Sequence, residues 1–252
     1  MVKVEESKTL NRKIRKDPWG EIGVSTLTKI KEAIQSGKSI EALDLTEYLA
    51  IEGKFIHDAY CDWIYHHLDY IAGKWGEEEM YRALRNAGLL FRKAAIEAIP
   101  LMSVEELVQT QAEIMRAHRC GPGELGNISV VEEKDRYVIS FDPCGSGGRM
   151  RRMGEVDRIP PRTGPPFNLG KTKRAYPWSW GKVGVPYYCV HCCVWSEILP
   201  VELIGYPLRV CEYSDNSQDP CAWIYYKRPE WIPERYFTRI GKKKRIKEIR
   251  KA

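Results

Sequence analysis

No apolar run in the chain approaches the roughly 18 residues that a membrane-crossing helix needs, which excludes a helical transmembrane protein. The opening residues, Met1-Val2-Lys3-Val4-Glu5-Glu6, carry charge with no apolar stretch behind it, and this predicts no signal peptide. There is no internal repeat. No Gly-rich turn joins a strand to a helix as in a dinucleotide-binding fold: Cys144-Gly145-Ser146-Gly147-Gly148 follows a predicted strand, but Arg149-Met150-Arg151-Arg152-Met153-Gly154 makes a poor helix start. A second Cys-x-x-Cys pair to match Cys189 and Cys192 is missing, which argues against a zinc ribbon. The repeating cysteine spacing of a ferredoxin is missing too, so an iron–sulfur or redox partner subunit ranks last among the functional readings.

What is present is an ordinary globular composition with an uneven distribution of reactive residues. At 252 residues the chain is long enough to bury a core, as one large domain or two small ones. The net charge of +6 fits a mildly basic cytoplasmic protein. Eight cysteines with no secretory signal point to a reducing compartment, where clustered thiols act as metal ligands or reactive groups more often than as disulfides.

Periodicity divides the chain. Residues 1–24 read as a basic arm or strap. Residues 25–122 read as helical, with helices over about 25–35, 40–72 and 77–99, and a fourth opened by the capping box Ser103-Val104-Glu105-Glu106. Gly53 is placed to kink the second helix and Gly73 to end it. Residues 123–240 switch to strands at 128–133, 136–141, 208–213 and 221–226, with a short helix at 194–204. Residues 241–252 form a basic tail. The expected fold is therefore α+β, a helical N-terminal half on a small antiparallel sheet, with a long irregular loop rich in Cys, Arg and Trp.

That irregular stretch, Phe141 to Cys193, is the expected site, because a long segment without periodicity in a compact chain is functional more often than not when aromatics and cysteines argue against disorder. Cys144, Cys189, His191, Cys192 and Cys193 are candidate ligands for zinc or iron, since soft thiolates and imidazole suit both. Neighbouring side chains diverge, so the 189–193 cluster would need a remote ligand, and Cys144 is the natural one. A metal-free version makes Cys144 a nucleophile with His191 as its base and the 145–148 amides aimed at a developing oxyanion. The alternative reading of these residues is small thiols packing a junction and glycines letting the chain turn. Arg149 and Arg151 are candidate anion holders, against a solvated loop face. Tyr176 and Trp178 are candidates to line a pocket, against a mini-core that pins the loop. On the second helix His57 and Asp58 are candidates for acid–base work, against a solvated stripe.

The order of parts resembles the L-2-amino-thiazoline-4-carboxylate hydrolase-like proteins, over roughly residues 42–228 and in layout. Cys144, Cys189 and Cys221 stand where that group has a strand-terminal Cys, a Cys before a helix and a Cys in the last strand pair. The long insertion between Cys144 and Cys189 and the Cys-x-His-Cys-Cys run are departures from it. The resemblance implies a small-molecule enzyme. The combined expectation is a hydrolase or lyase acting on an anionic, ring-containing substrate at a Cys/His site, metal-assisted or thiolate-based. A nucleic-acid-binding protein, suggested by the basic ends and the Arg/Trp loop, is the competing reading, though no named nucleic-acid motif occurs. The sequence leaves self-association open.

Overall fold

The computed structural model describes residues 3–10 and 12–245. Its elements segregate by type, with helices ahead of the main sheet, as expected for α+β. The chain forms two compact units, Met1–Tyr60 with Glu155–Arg158, and Cys61–Gly154 with Ile159–Ala252.

In the first unit, strands β1 (Lys3–Ser7) and β2 (Arg12–Lys16) pair antiparallel, Lys3 opposite Lys16 and Ser7 opposite Arg12. The expected loose arm is thus a hairpin. Its Arg15 is fixed from both sides, donating to Asp17 at 2.7 Å and to the Thr26 hydroxyl at 2.7 Å. Helix α1 (Thr26–Gln35) begins where the Ser25 hydroxyl accepts the Thr28 N–H at 3.1 Å, satisfying one of the orphan donors of a first turn. Helix α2 (Ser39–Trp75) starts in this unit and supplies the second from Cys61 onward. It runs unbroken through Gly53 and past Gly73: a single Gly costs about 1 kcal/mol in a helix interior, too little to break one this long. Gly76 ends it, with a φ of +93° that an L side chain rarely adopts.

In the second unit, α3 (Glu77–Ala98) opens on three glutamates at its positive end. Helix α4 (Val104–Ala117) opens as the capping box predicts, the Ser103 hydroxyl accepting the Glu106 N–H at 3.1 Å. Strands β3 (Ser129–Glu132), β4 (Arg136–Phe141), β5 (Val210–Glu212) and β6 (Cys221–Tyr226) form one antiparallel sheet in the order β3-β4-β6-β5. The short helices α5 (Gly147–Met150), α6 (Val190–Cys193), α7 (Leu199–Ile204) and α8 (Glu234–Thr238) complete the unit. A π-helical segment, Val194–Ile198, links α6 to α7. The predicted 194–204 helix therefore starts earlier, and Pro200 is tolerated because it sits at the start of α7, where its missing N–H costs nothing.

The irregular excursion is bound down along its length. The Arg162 guanidinium grips the Asp62 carboxylate with two bonds of 2.8 Å. The Gly170 N–H donates to Asp69 at 2.8 Å, and the Tyr65 hydroxyl donates to the Gly170 carbonyl at 2.8 Å. Tyr176 stacks on Trp178 with ring centroids 4.1 Å apart, and Trp178 stacks in turn on Tyr81 at 5.3 Å. Among the described residues no helix is long and apolar enough to cross a membrane. Of the basic tail, residues 246–252 lie outside the described part.

Candidate functional site

The end of the sheet where β4 finishes and β6 begins carries the chemistry. Register places Phe141 opposite Cys221, and Cys211 opposite Trp223. Phe141 is fully buried against the edge of Trp223, centroids 4.7 Å apart, which fixes the point from which residues 142–148 leave the sheet. That departure needs glycine for space. A Cβ on Gly145 would overlap the His118 carbonyl oxygen; one on Gly147 would stand 2.7 Å from the Cys189 sulfur; one on Gly148 would stand 3.1 Å from the Cys144 sulfur. The run Cys144-Gly145-Ser146-Gly147-Gly148 is therefore a close-approach loop, and it folds the Cys144 sulfur back over its own following amides.

These residues open into a cavity of about 150 Å³ in the second unit, where Cys144, Cys189, His191, Cys192, Cys211 and Cys221 all contribute to the wall. Apolar cover comes from residues such as Leu68, Met115 and Trp223. A void of about this size holds a ring as large as benzene.

Cys144 is half-buried, and its sulfur accepts the Gly148 N–H at 2.9 Å. The Cys221 thiol and the Ser146 amide also favour its charged form. With those donors led by Cys221, and with His191 nearby, the thiol is held down at about 6 although burial pulls the other way. The proton that the pair retains sits on Cys221, whose own value is pushed far up by the Cys144 anion beside it. The neighbouring thiols behave oppositely: burial pushes Cys189 up to about 12 and raises Cys193 and Cys211. Among the described cysteines with a shifted value, Cys144 alone is shifted down.

His191 is locked in one tautomer. Its Nδ1–H donates to the Tyr188 carbonyl at 2.6 Å, so Nε2 is the bare nitrogen, and the Cys192 sulfur lies 3.5 Å from it. Tyr188 meets the ring edge-on at 4.9 Å, and Trp195 from the π-helical segment lies at 5.4 Å. Burial, with the positive Arg92 and Arg209, holds its value down at about 4 against the pull of the Tyr188 carbonyl and the Cys144 charge. At neutral pH the cavity thus pairs a thiolate with a neutral imidazole.

The third feature is a cation that the sequence reading did not single out. Arg209 is only 6% exposed. Its guanidinium lies 3.4 Å from the Trp223 ring centroid, and its Nη1–H donates to the Gln111 side-chain oxygen at 2.5 Å. Its Nε–H, also buried, meets no acceptor. The groups that act on its charge are Tyr225, Cys211 and Cys192, none of them a carboxylate. Arg92 lines the same wall, stacked 5.1 Å over Trp195, and is disfavoured by Arg209 as a like charge. Glu212 borders the cavity but is occupied, accepting the Tyr236 hydroxyl at 2.7 Å with Arg239 3.8 Å away.

Of the residues expected in the site, Cys144, Cys189, His191 and Cys192 are brought to one cavity. Cys193 is turned away, fully buried with its S–H toward the Pro177 carbonyl at 3.6 Å. Among the described residues no group of three or more His, Cys, Asp or Glu side chains is arranged to hold a metal ion, so the expected five-residue zinc or iron set is not assembled. Arg149 is buried with its Nε–H on the Gly145 carbonyl at 3.3 Å, outside the cavity wall. Arg151 donates to the carbonyls of Ser214 at 2.8 Å and Asp215 at 3.0 Å, holding the β5–β6 loop. Tyr176 and Trp178 form the loop-pinning aromatic stack, with the Tyr176 hydroxyl on Glu77 at 2.8 Å. His57 and Asp58 belong to the first unit, where His57 Nδ1 is 2.9 Å from Asp58 and Lys54 pairs with the same carboxylate.

Comparison with protein-family models, with curated proteins and with solved structures finds no match to this chain. The site therefore rests on its geometry. Arg209 had a legible signal, a lone cation inside the apolar run Leu208-Arg209-Val210-Cys211. Arg92 had none, since its neighbour Lys93 is an equal candidate by sequence.

Proposed function

We propose that this chain is a small-molecule enzyme of hydrolase or lyase type, acting on a compact anionic substrate through the thiolate of Cys144. The observation that carries the reading is the Cys144 sulfur, hydrogen-bonded at 2.9 Å by the Gly148 amide, in the same cavity as the bare Nε2 of His191. A thiolate at neutral pH is the form that attacks carbon. In the first step its electron pair forms an S–C bond at an electrophilic carbon, and the leaving heteroatom departs with the bonding pair and takes a proton from water. In the second, His191 Nε2 removes a proton from a water molecule that attacks the same carbon and passes it to the hydroxide left by the first step. The S–C bond breaks, and the thiolate is restored.

The anionic substrate follows from Arg209. A guanidinium stays charged, and removing one from water costs several kcal/mol unless an opposite charge compensates it. Arg209 is buried beside Arg92 and has no carboxylate partner among the described residues, so a bound anion would supply the missing compensation. The role expected for Arg149 and Arg151 passes to these two residues. The cavity volume favours a substrate no larger than a small ring. Cys144, Cys189 and Cys221, which carry the layout resemblance to the thiazoline-carboxylate hydrolase-like group, all line this cavity. Sulfur chemistry is preferred to metal chemistry here because among the described residues no three donors are grouped to hold an ion and Cys193 faces Pro177.

The test is to incubate the protein with a panel of small cyclic and acyclic carboxylates bearing C–N or C–S bonds, following product and the intact mass. Turnover with a transient adduct on Cys144, abolished by Cys144→Ser and by Arg209→Gln, is expected. Turnover that persists in Cys144→Ser overturns the reading.

A further inference from the structure

The half-buried cysteines of the chain are Cys144, Cys192 and Cys221, and all three line the same cavity. Cys221 is the first residue of β6, opposite the last residue of β4, and Cys144 follows that residue by three positions. Both residues line the cavity, so a small molecule that enters it meets both. Nothing in the proposed catalytic cycle uses Cys221 beyond its donated hydrogen bond. A second thiol beside a nucleophilic one, in a space open to small solutes, is the arrangement in which a sulfenic acid is resolved to a disulfide.

We propose that Cys144 and Cys221 are a peroxide-reactive pair that closes to a disulfide and thereby switches the site off. The proposal rests on the reading of Cys144 as the nucleophile. The Cys144 thiolate attacks one oxygen of a hydroperoxide. An S–O bond forms, the O–O bond breaks, and the departing hydroxide or alkoxide takes a proton from solvent. The Cys221 sulfur then attacks the Cys144 sulfenic acid. The S–S bond forms, the S–O bond breaks, and the Cys221 proton leaves with the hydroxyl as water. The peroxide gains two electrons and each sulfur gives one, so two thiols and one hydrogen peroxide yield one disulfide and two waters. Re-reduction needs an external dithiol.

Two local features suit the closure. Gly148 has no Cβ to hinder the Cys144 sulfur, since one would stand only 3.1 Å away, so the sulfur can leave the amide and move toward Cys221. A disulfide requires Cα atoms within about 7 Å, and the β4–β6 register brings Cys221 opposite Phe141, three residues before Cys144. The other cavity thiols are poorer partners. Cys189 is buried and packed on Gly147, while Cys211 directs its S–H to the Cys192 carbonyl at 3.8 Å.

The test uses the full chain, reduced and then treated with one equivalent of hydrogen peroxide at pH 7. Free thiols are expected to fall from eight to six, with a Cys144–Cys221 cross-link in the non-reduced peptide map and full recovery in dithiothreitol. Cys221→Ser retains a hydrogen-bond donor to Cys144 and is expected to stop at a dimedone-trappable sulfenic acid on Cys144. A wild-type map in which Cys144 goes to sulfinic acid while Cys221 stays free, or in which another pair cross-links first, overturns the proposal. Iodoacetamide labelling separates the two readings. If Cys144 labels selectively at pH 6 but forms no cross-link, the switch fails and the nucleophile stands. If Cys144 shows no selective labelling, both fail.

Discussion

Alkylation of Cys144 against pH gives a worked number. A thiol of ordinary value, about 8.5, is about 0.3% ionised at pH 6, whereas one held at about 6 is about half ionised, roughly a 150-fold gain in thiolate. The gain is partly cancelled, because nucleophilicity falls with basicity: a Brønsted slope of about 0.4–0.5 over this interval costs roughly tenfold. The expected result with iodoacetamide at pH 6 is therefore Cys144 labelling about tenfold faster than an exposed ordinary cysteine, with a rate that levels off above pH 7. Peptide mapping after timed quenching reads each cysteine separately. Cys189, in the same cavity but pushed up to about 12, is expected to stay unlabelled and serves as the internal control for access. The Cys144 hydrogen bonds are the cause, so Cys221→Ala, which removes the leading donor, is expected to shift the plateau to higher pH. A Cys144 rate that climbs tenfold per pH unit from 6 to 8 would refute the reasoning.

Other perturbations test separate parts of the account. Because the folded-state value of Cys144 lies below its unfolded one, its contribution to stability is fully present above about pH 8.5 and is lost as pH falls through about 6. The urea-derived stability gap between wild type and Cys144→Ser should widen by up to about 3 kcal/mol across that window. Arg209→Met removes a buried, uncompensated cation from its place over Trp223, and is expected to melt no lower than wild type while losing any affinity for small carboxylates measured by calorimetry. Gly145→Ala drives a methyl group into the His118 carbonyl and is expected to cost 1–3 kcal/mol or more, as overpacking does, read as a lower midpoint in urea. Glu197→Ala deprives the Trp180 indole, the Cys211 amide and Arg239 of one fully buried acceptor, and should destabilise by about 3–5 kcal/mol in the same assay.

The fold was legible wherever one local rule decided the outcome. Ser103 capped α4 as its box predicts, and β4 and β6 run over the residues that their β-branched and aromatic runs marked. The hairpin at the start was hidden, since short charged strands lack the apolar alternation that identifies a strand. Gly53 and Gly73 were misleading for the opposite reason: local propensity was outweighed by the packing of a 37-residue helix. In the site, the clustering of rare residues in one aperiodic stretch picked out Cys144, Cys189 and His191 but left open whether they meet; the fold brings them to one cavity wall. The fate of the arginines was not legible. Arg149, Arg151 and Arg162 are met by carbonyls and Asp62 from as many as 100 residues away, whereas Arg209 lies in the cavity wall with the neutral Gln111 side chain as its acceptor. Only tertiary structure distinguishes a guanidinium paired with a carboxylate from one that is not.

The central claim is that a Cys144 thiolate and a neutral His191 share one cavity, and the imidazole itself can report it. In a pH titration of the His191 ring resonances by NMR, the account predicts the Nδ1–H neutral tautomer throughout pH 5–8, with a small inflection at about 6 transmitted from Cys144 and absent in Cys144→Ser. A full protonation step near 6.5, the ordinary histidine value, that is the same in wild type and Cys144→Ser would contradict it.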